Sequence, residues 1–161
     1  MSTVIKKGFT LIEMLVVISL IGILSALSLV SFTSAQKQAR DVTRKSDMKQ
    51  YQTVLESYGN LTNGLYPSRT SASSAYSILC ADLNLRLEPD VTCGQDPKIA
   101  SDPTYYDYKY ISDGTNGTAS ATKYVLWAQI ENASTTSYWI VCSNGKTGQS
   151  TSVPVSSSCP I

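Results

Sequence analysis

From Phe9 to Phe32 the chain is almost uniformly apolar, 24 residues with a single charge, Glu13. A helix over this run would be about 36 Å long at about 1.5 Å per residue, enough to cross a bilayer. A secretory signal peptide would place a shorter apolar core ahead of a small-residue cleavage site; here Lys6-Lys7-Gly8 stand in front of a run that is too long. Composition alone leaves a plain signal anchor open. The pattern then changes period without breaking. Gln36 to Tyr58 contains neither Pro nor Gly, and Met48, Tyr51, Val54, Leu55 and Tyr58 recur at steps of three and four. This predicts an amphipathic outer half of the same helix, with Lys37, Arg40, Arg44, Lys45 and Lys49 among its polar positions. Gly59, Asn63-Gly64 and Pro67 predict its end.

Thr70 to Ser74 reads as a polar linker and Ala75 to Leu83 as a short helix with Tyr76, Leu79 and Leu83 on one face. After Pro103 the period becomes two: Tyr106, Tyr108 and Tyr110, then Tyr124, Leu126, Ala128 and Ile130, then Tyr138, Ile140 and Cys142. Turn-rich links at Asp113 to Gly117 and Glu131 to Ser134 are short enough for antiparallel neighbours. The fold class is therefore α+β, a long N-terminal helix whose outer half covers an antiparallel sheet over about 104–145. Its expected organisation is a leader at 1–8, a membrane or filament-core helix at 9–35 and a globular domain at 36–161 that includes the helical half 36–58.

Composition narrows the function. The formal charge is +1 and histidine is absent, which removes the commonest general base and metal ligand and argues against an enzyme, a cofactor or a specific nucleic-acid partner. Cys80, Cys93, Cys142 and Cys159 lack CxxC spacing, so two disulfides are favoured over a zinc site. That places residues 80–159 on an oxidising side of the membrane. Three connectivities are open; the sequence-local pairs Cys80 with Cys93 and Cys142 with Cys159 are preferred. Asn60-Leu61-Thr62, Asn116-Gly117-Thr118 and Asn132-Ala133-Ser134 fit a glycosylation pattern that short polar loops produce by chance.

Glu13 is the functional suspect, because an ionisable side chain near the end of a membrane helix is costly unless paired or solvated. A cut between Gly8 and Phe9 would create an α-amino group with a pKa of about 8, one helical turn before Glu13. Lys6-Lys7-Gly8-Phe9-Thr10-Leu11-Ile12-Glu13-Met14-Leu15-Val16-Val17-Ile18 closely resembles the start of type IV prepilins and type II secretion pseudopilins. The likeness continues through Arg40 to Tyr58 and Asn63-Gly64-Leu65-Tyr66-Pro67, then thins to architecture. It implies the pilin fold, cleavage by a prepilin peptidase after Gly8 and methylation of Phe9. It also implies that Glu13 neutralises the terminal amine of a neighbouring subunit during assembly.

The chain departs from that pattern in two places. Val30 stands where many relatives carry proline, although Gly22, Ser25 and Ser28 could still loosen the helix. Major pseudopilins bind calcium in a C-terminal loop, and the oxygen-rich stretches here, Asp113 to Asn116 and Ser143 to Thr147, read as turns without a metal. Basic residues after the span outnumber those before it, which by itself would put the C-terminus inside. The cysteines and the leader argue for the opposite orientation. The expected function is that of a type IV pilus-like filament subunit, with a secretion pseudopilin as the alternative and a non-polymerising membrane-anchored domain as the rival class. Expected partners are copies of itself, prepilin peptidase and the inner-membrane assembly machinery. The chain would lie in the membrane before assembly and on the cell surface afterwards.

Overall fold

The computed structural model describes residues 8–81, 93–103 and 106–161, with backbone alone at 28–31. Lys6, Lys7, Leu83 and the first positions of the expected sheet, 104 and 105, lie outside the described residues. The chain divides into two compact units, Met1–Lys37 and Gln38–Ile161.

One helix, α1 (Leu11–Leu61), carries both the apolar and the amphipathic halves and continues through Gly22. It also continues through Gly59, where the sequence suggested a stop. That glycine is buried, and a Cβ there would come within 3.0 Å of the Tyr66 ring, so its role is close approach. The helix ends two residues later, at Leu61, and the chain turns at Asn63. Asn63 takes a φ of 56° and the Gly64 amide donates to the Gly59 carbonyl at 2.7 Å, the six-to-one closure of a Schellman cap.

Seven strands follow: β1 (Tyr66–Pro67), β2 (Ser73–Ser74), β3 (Lys109–Ser112), β4 (Ala119–Ala121), β5 (Tyr124–Ile130), β6 (Ser137–Cys142) and β7 (Thr147–Ser150). β2-β3-β5-β6-β7 form an antiparallel sheet in that order, and β1 pairs with β4 in a small separate ladder. The expected helix at Ala75 to Leu83 is instead a π-helical turn, Ser77–Ala81, that buries Ile78 and Leu79 and leaves Tyr76 exposed. The first expected strand begins only at Lys109, with Tyr106 in a bend before it.

Alternation along β5 sorts its side chains between two cores. Tyr124, Leu126 and Ala128 join Tyr110 and Val141 against Met48, Tyr51 and Leu55 of α1. Leu55 and Leu126 are fully buried, each contributing about 1.5 to 3 kcal/mol relative to exposure. On the reverse face Ile111, Val125, Trp127, Ile140 and Cys142 form a second cluster, covered by Tyr138, Cys159 and Ile161. Tyr138, Ile140 and Cys142 therefore face away from the helix, and the sheet is buried on both sides.

Candidate functional site

Among the described residues the apolar half of α1 is exposed. Phe9, Leu11, Ile12, Met14 to Ile18, Leu20, Ile21, Ile23, Leu24, Leu27 and Phe32 are all exposed, on every side of the helix. Such a surface requires lipid or other apolar helices around it. At its start Thr10 and Glu13 form a reciprocal cap. The Thr10 amide and hydroxyl donate to Glu13 Oε2 at 2.8 and 2.6 Å, and the Glu13 amide donates back to Thr10 Oγ1 at 3.3 Å. This is a capping box, and its carboxylate also lies at the positive end of the helix dipole. Thr10 was not singled out from the sequence, although Thr-x-x-Glu ahead of an apolar run is its signature. Gly8 and Phe9 precede the first helical turn, both exposed.

In the second unit, α1 presents a buried charge cluster that sequence reasoning also missed. Arg44 is fully buried; its guanidinium bonds to both Asp96 oxygens, to Asp41 at 2.6 Å and to Glu131 at 2.6 Å. Arg40 adds a two-point pair to Glu131 at 2.9 and 2.6 Å, and Lys98 approaches the same carboxylate at 3.3 Å. Asp41 accepts from the Glu131 and Asn132 amides at 2.9 and 2.7 Å, so it also caps the β5–β6 turn. Three cations thus meet three carboxylates, with Arg44 over the Tyr106 ring at 5.3 Å. Burial works to lower the Arg44 pKa, but the hydrogen bonds to Asp96, Glu131 and Asp41 raise it overall. The Arg40 guanidinium, aided by Arg44 and Lys98 against the effect of burial, brings Glu131 down to about 2. Next along α1, Tyr108 donates to Asp47 at 2.6 Å and Tyr51 to the Gly94 carbonyl at 3.1 Å. The cluster ties helix, β5–β6 turn and the 93–99 loop together. Sequence carried only the Asp41/Arg44 spacing; Asp96 and Glu131 come from distant loops.

The cysteines pair as Cys80–Cys93 and Cys142–Cys159, closing separations of 13 and 17 residues. Comparison with known proteins adds to these features. Residues 5–29 match the family described as the prokaryotic N-terminal methylation motif. The chain is 33% identical over 112 residues to type II secretion system core protein G of Pseudomonas aeruginosa, covering 70% of this chain and 78% of that protein. The chain belongs to the type IV pilin and type II secretion pseudopilin family. Proteins of the same name from Klebsiella pneumoniae and Vibrio cholerae serotype O1 are 29% and 27% identical over 113 residues, covering 70% of this chain and 79% and 75% of theirs. No solved structure matches significantly. Membership makes this a pilin-like filament subunit, and the apolar helix with its methylation motif marks it as membrane-anchored.

Calcium, which the pseudopilin resemblance raises, would have to share the oxygens of these stretches with hydrogen-bond donors. Asp113 already accepts from the Thr122 amide and hydroxyl at 2.7 Å each and from the Lys123 amide at 2.9 Å. Burial acts to raise its pKa, yet these donors hold it below the ordinary value. Asn116 Oδ1 accepts from the Thr70 amide at 2.7 Å and Asn144 Oδ1 from the Lys146 amide at 3.0 Å. These donors take up part of the acceptor capacity a cation would need, and no group of three acidic, Cys or His side chains forms among the described residues.

Proposed function

We propose that this chain is a pseudopilin of a type II secretion-like system, a structural subunit and not an enzyme. The carrying observation is the 33% identity to a type II secretion core protein G over 112 residues, which favours secretion over the surface pilus that the sequence put first. In this reading prepilin peptidase removes residues 1–8, Phe9 is methylated, and 9–35 anchors the subunit with 36–161 outside the cytoplasm. Inner-membrane machinery then transfers the helix from lipid into a bundle of identical helices. The apolar side chains that the subunit itself leaves uncovered stay out of water throughout while their surroundings change. Glu13 leaves its Thr10 cap for the Phe9 amine of a neighbouring copy.

Intact-mass analysis together with deletion tests the proposal. The assembled protein should begin at methylated Phe9, and a strain lacking the chain should retain proteins it normally exports while keeping its surface pili. A retained leader would refute processing. Normal export with lost pili would return the assignment to a pilus.

A further inference from the structure

The stretch from Cys93 to Ile99 is held by side chains and joins no strand ladder. Among the described residues its backbone-to-backbone bonds are local, Ile99 to Asp96 and Ser101 to Lys98 at 2.9 Å each. Yet it supplies two members of the buried charge cluster. Asp96 takes both forks of the Arg44 guanidinium, Nη2 at 2.9 Å, and Lys98 approaches Glu131 at 3.3 Å. Gly94 lies so close to α1 that a Cβ there would meet Asp47 Oδ1 at 2.6 Å, and its carbonyl accepts from Tyr51. A single covalent tie enters this stretch, from Cys93 to Cys80. Cys80 sits in the Ser77–Ala81 turn, anchored by buried Ile78 and Leu79, and both cysteines pack on the core that contains Met48, Tyr51 and Leu55. Asp96 follows the tie by three residues. Cys142 and Cys159 belong instead to the cluster on the reverse face of the sheet.

We propose that the Cys80–Cys93 bond is a redox latch on the buried charge cluster: oxidised, it holds Asp96 and Lys98 against Arg44 and Glu131, and reduced, it frees the stretch that carries both. The reason is order. Ionic contacts made from a stretch without a ladder must offset the entropy of fixing its backbone, and a covalent tie three residues away removes part of that entropy from the unfolded chain beforehand. Arg44 is fully buried, so losing the Asp96 carboxylate leaves a charge that solvent does not replace. Bond and cluster therefore stabilise each other. Closing the latch joins two thiols into one disulfide, and the two electrons and two protons released pass to a disulfide-bearing oxidant, which becomes a dithiol. Nothing in the latch depends on whether the subunit enters a filament.

The test is a pair of double-mutant cycles on the full chain in detergent micelles, read as unfolding constants in urea. Cys80→Ser/Cys93→Ser and Arg44→Met are made separately and together. The combined variant should be about tenfold more stable than the product of the two separate losses, because either change dismantles the same contacts. The same cycle with Cys142→Ser/Cys159→Ser should multiply to within about twofold, as independent sites do. A product within about twofold at Cys80 and Cys93, or equal coupling at both bonds, would overturn the proposal. If a variant does not fold, the reciprocal measurement decides. Asp96→Asn in the oxidised chain should make Cys80–Cys93 about tenfold easier to reduce in glutathione buffers and leave Cys142–Cys159 unmoved, with alkylation mapping reading each bond. An unchanged Cys80–Cys93 equilibrium, or an equal shift at both bonds, overturns the latch. The export assay tests the filament assignment separately.

Discussion

Arg44→Met removes the central charge of the buried cluster while keeping most of the side-chain volume, so it isolates electrostatics from packing. The cost is set by what each carboxylate retains. Glu131 keeps Arg40 at 2.6 Å and Lys98 at 3.3 Å, and Asp41 keeps the two amides of the β5–β6 turn. Among the described residues Asp96 keeps only the Lys98 amide at 2.8 Å, and it is 3% exposed. One buried carboxylate is therefore nearly orphaned, and losing one partner of a buried pair costs about 3 to 5 kcal/mol. For a domain of this size that is a Tm fall of about 10 to 20 °C.

Urea unfolding of the full chain in micelles, followed by tryptophan fluorescence at neutral pH, measures the loss. Adding Asp96→Asn to the Arg44→Met chain should restore about 1 to 2 kcal/mol, because the orphaned charge is then gone. A loss below about 1 kcal/mol for Arg44→Met would refute the reasoning, since that is what a solvated surface pair is worth.

Three other outcomes are expected. Glu131 has an ordinary pKa of 4.5 and a folded value of about 2, so its stabilisation is complete above about pH 4.5 and is lost as pH falls toward 2. The shift corresponds to at most about 3 kcal/mol, nearer 1 to 2 with solvent screening, and Glu131→Gln should flatten the stability profile between pH 5 and 2. Asp47, pushed up by burial, acts in the opposite sense and gives some stability back in acid. Gly94→Ala should destabilise by about 2 kcal/mol or more in the same urea assay, because its Cβ would lie 2.6 and 2.9 Å from the Asp47 oxygens. Glu13→Gln should leave processing and membrane insertion intact on immunoblots but sharply reduce sheared filaments, because the Phe9 amine then enters the helix bundle unpaired. Normal filament yield would exclude that pairing.

Elements whose pattern is local were legible. The change from a uniformly apolar run to three- and four-residue steps located both halves of α1, and alternation located β5 and β6. Alternation did not decide which way β6 faces, because both faces of the sheet are buried and Trp139 and Val141 turned out to pack toward the helix. β7 escaped notice because Thr147-Gly148-Gln149-Ser150 has no apolar period; it exists because β6 offers it an edge. The capping box at Thr10 was readable from Thr-x-x-Glu, since the Glu13 carboxylate both carries charge and accepts from Thr10. Arg44 could not have been read: its partners Asp96 and Glu131 lie 52 and 87 residues away, and only folding brings them together.

The charge cluster also explains why basic residues lie just beyond the apolar span, where the topology count disfavours them. Of Lys37, Arg40, Arg44, Lys45 and Lys49, the two arginines are needed by the fold, where they match Asp41, Asp96 and Glu131. Lys45 lies over the Trp139 ring at 4.5 Å and Lys49 donates to Gln52 at 3.0 Å. The contacts to Asp96, Glu131 and Trp139 form only after the domain has folded, and orientation is set while the chain is still being inserted. The cluster therefore accounts for the presence of the arginines without orienting the chain. Under the proposed topology the insertion machinery must carry Arg40 and Arg44 across with only the helix-local Asp41 beside them, and Asp96 and Glu131 neutralise them afterwards. Replacing both arginines should then leave orientation unchanged and damage only the fold; protease protection of the membrane-bound chain separates the two effects, and an inverted C-terminal domain would show that the arginines take part in setting topology.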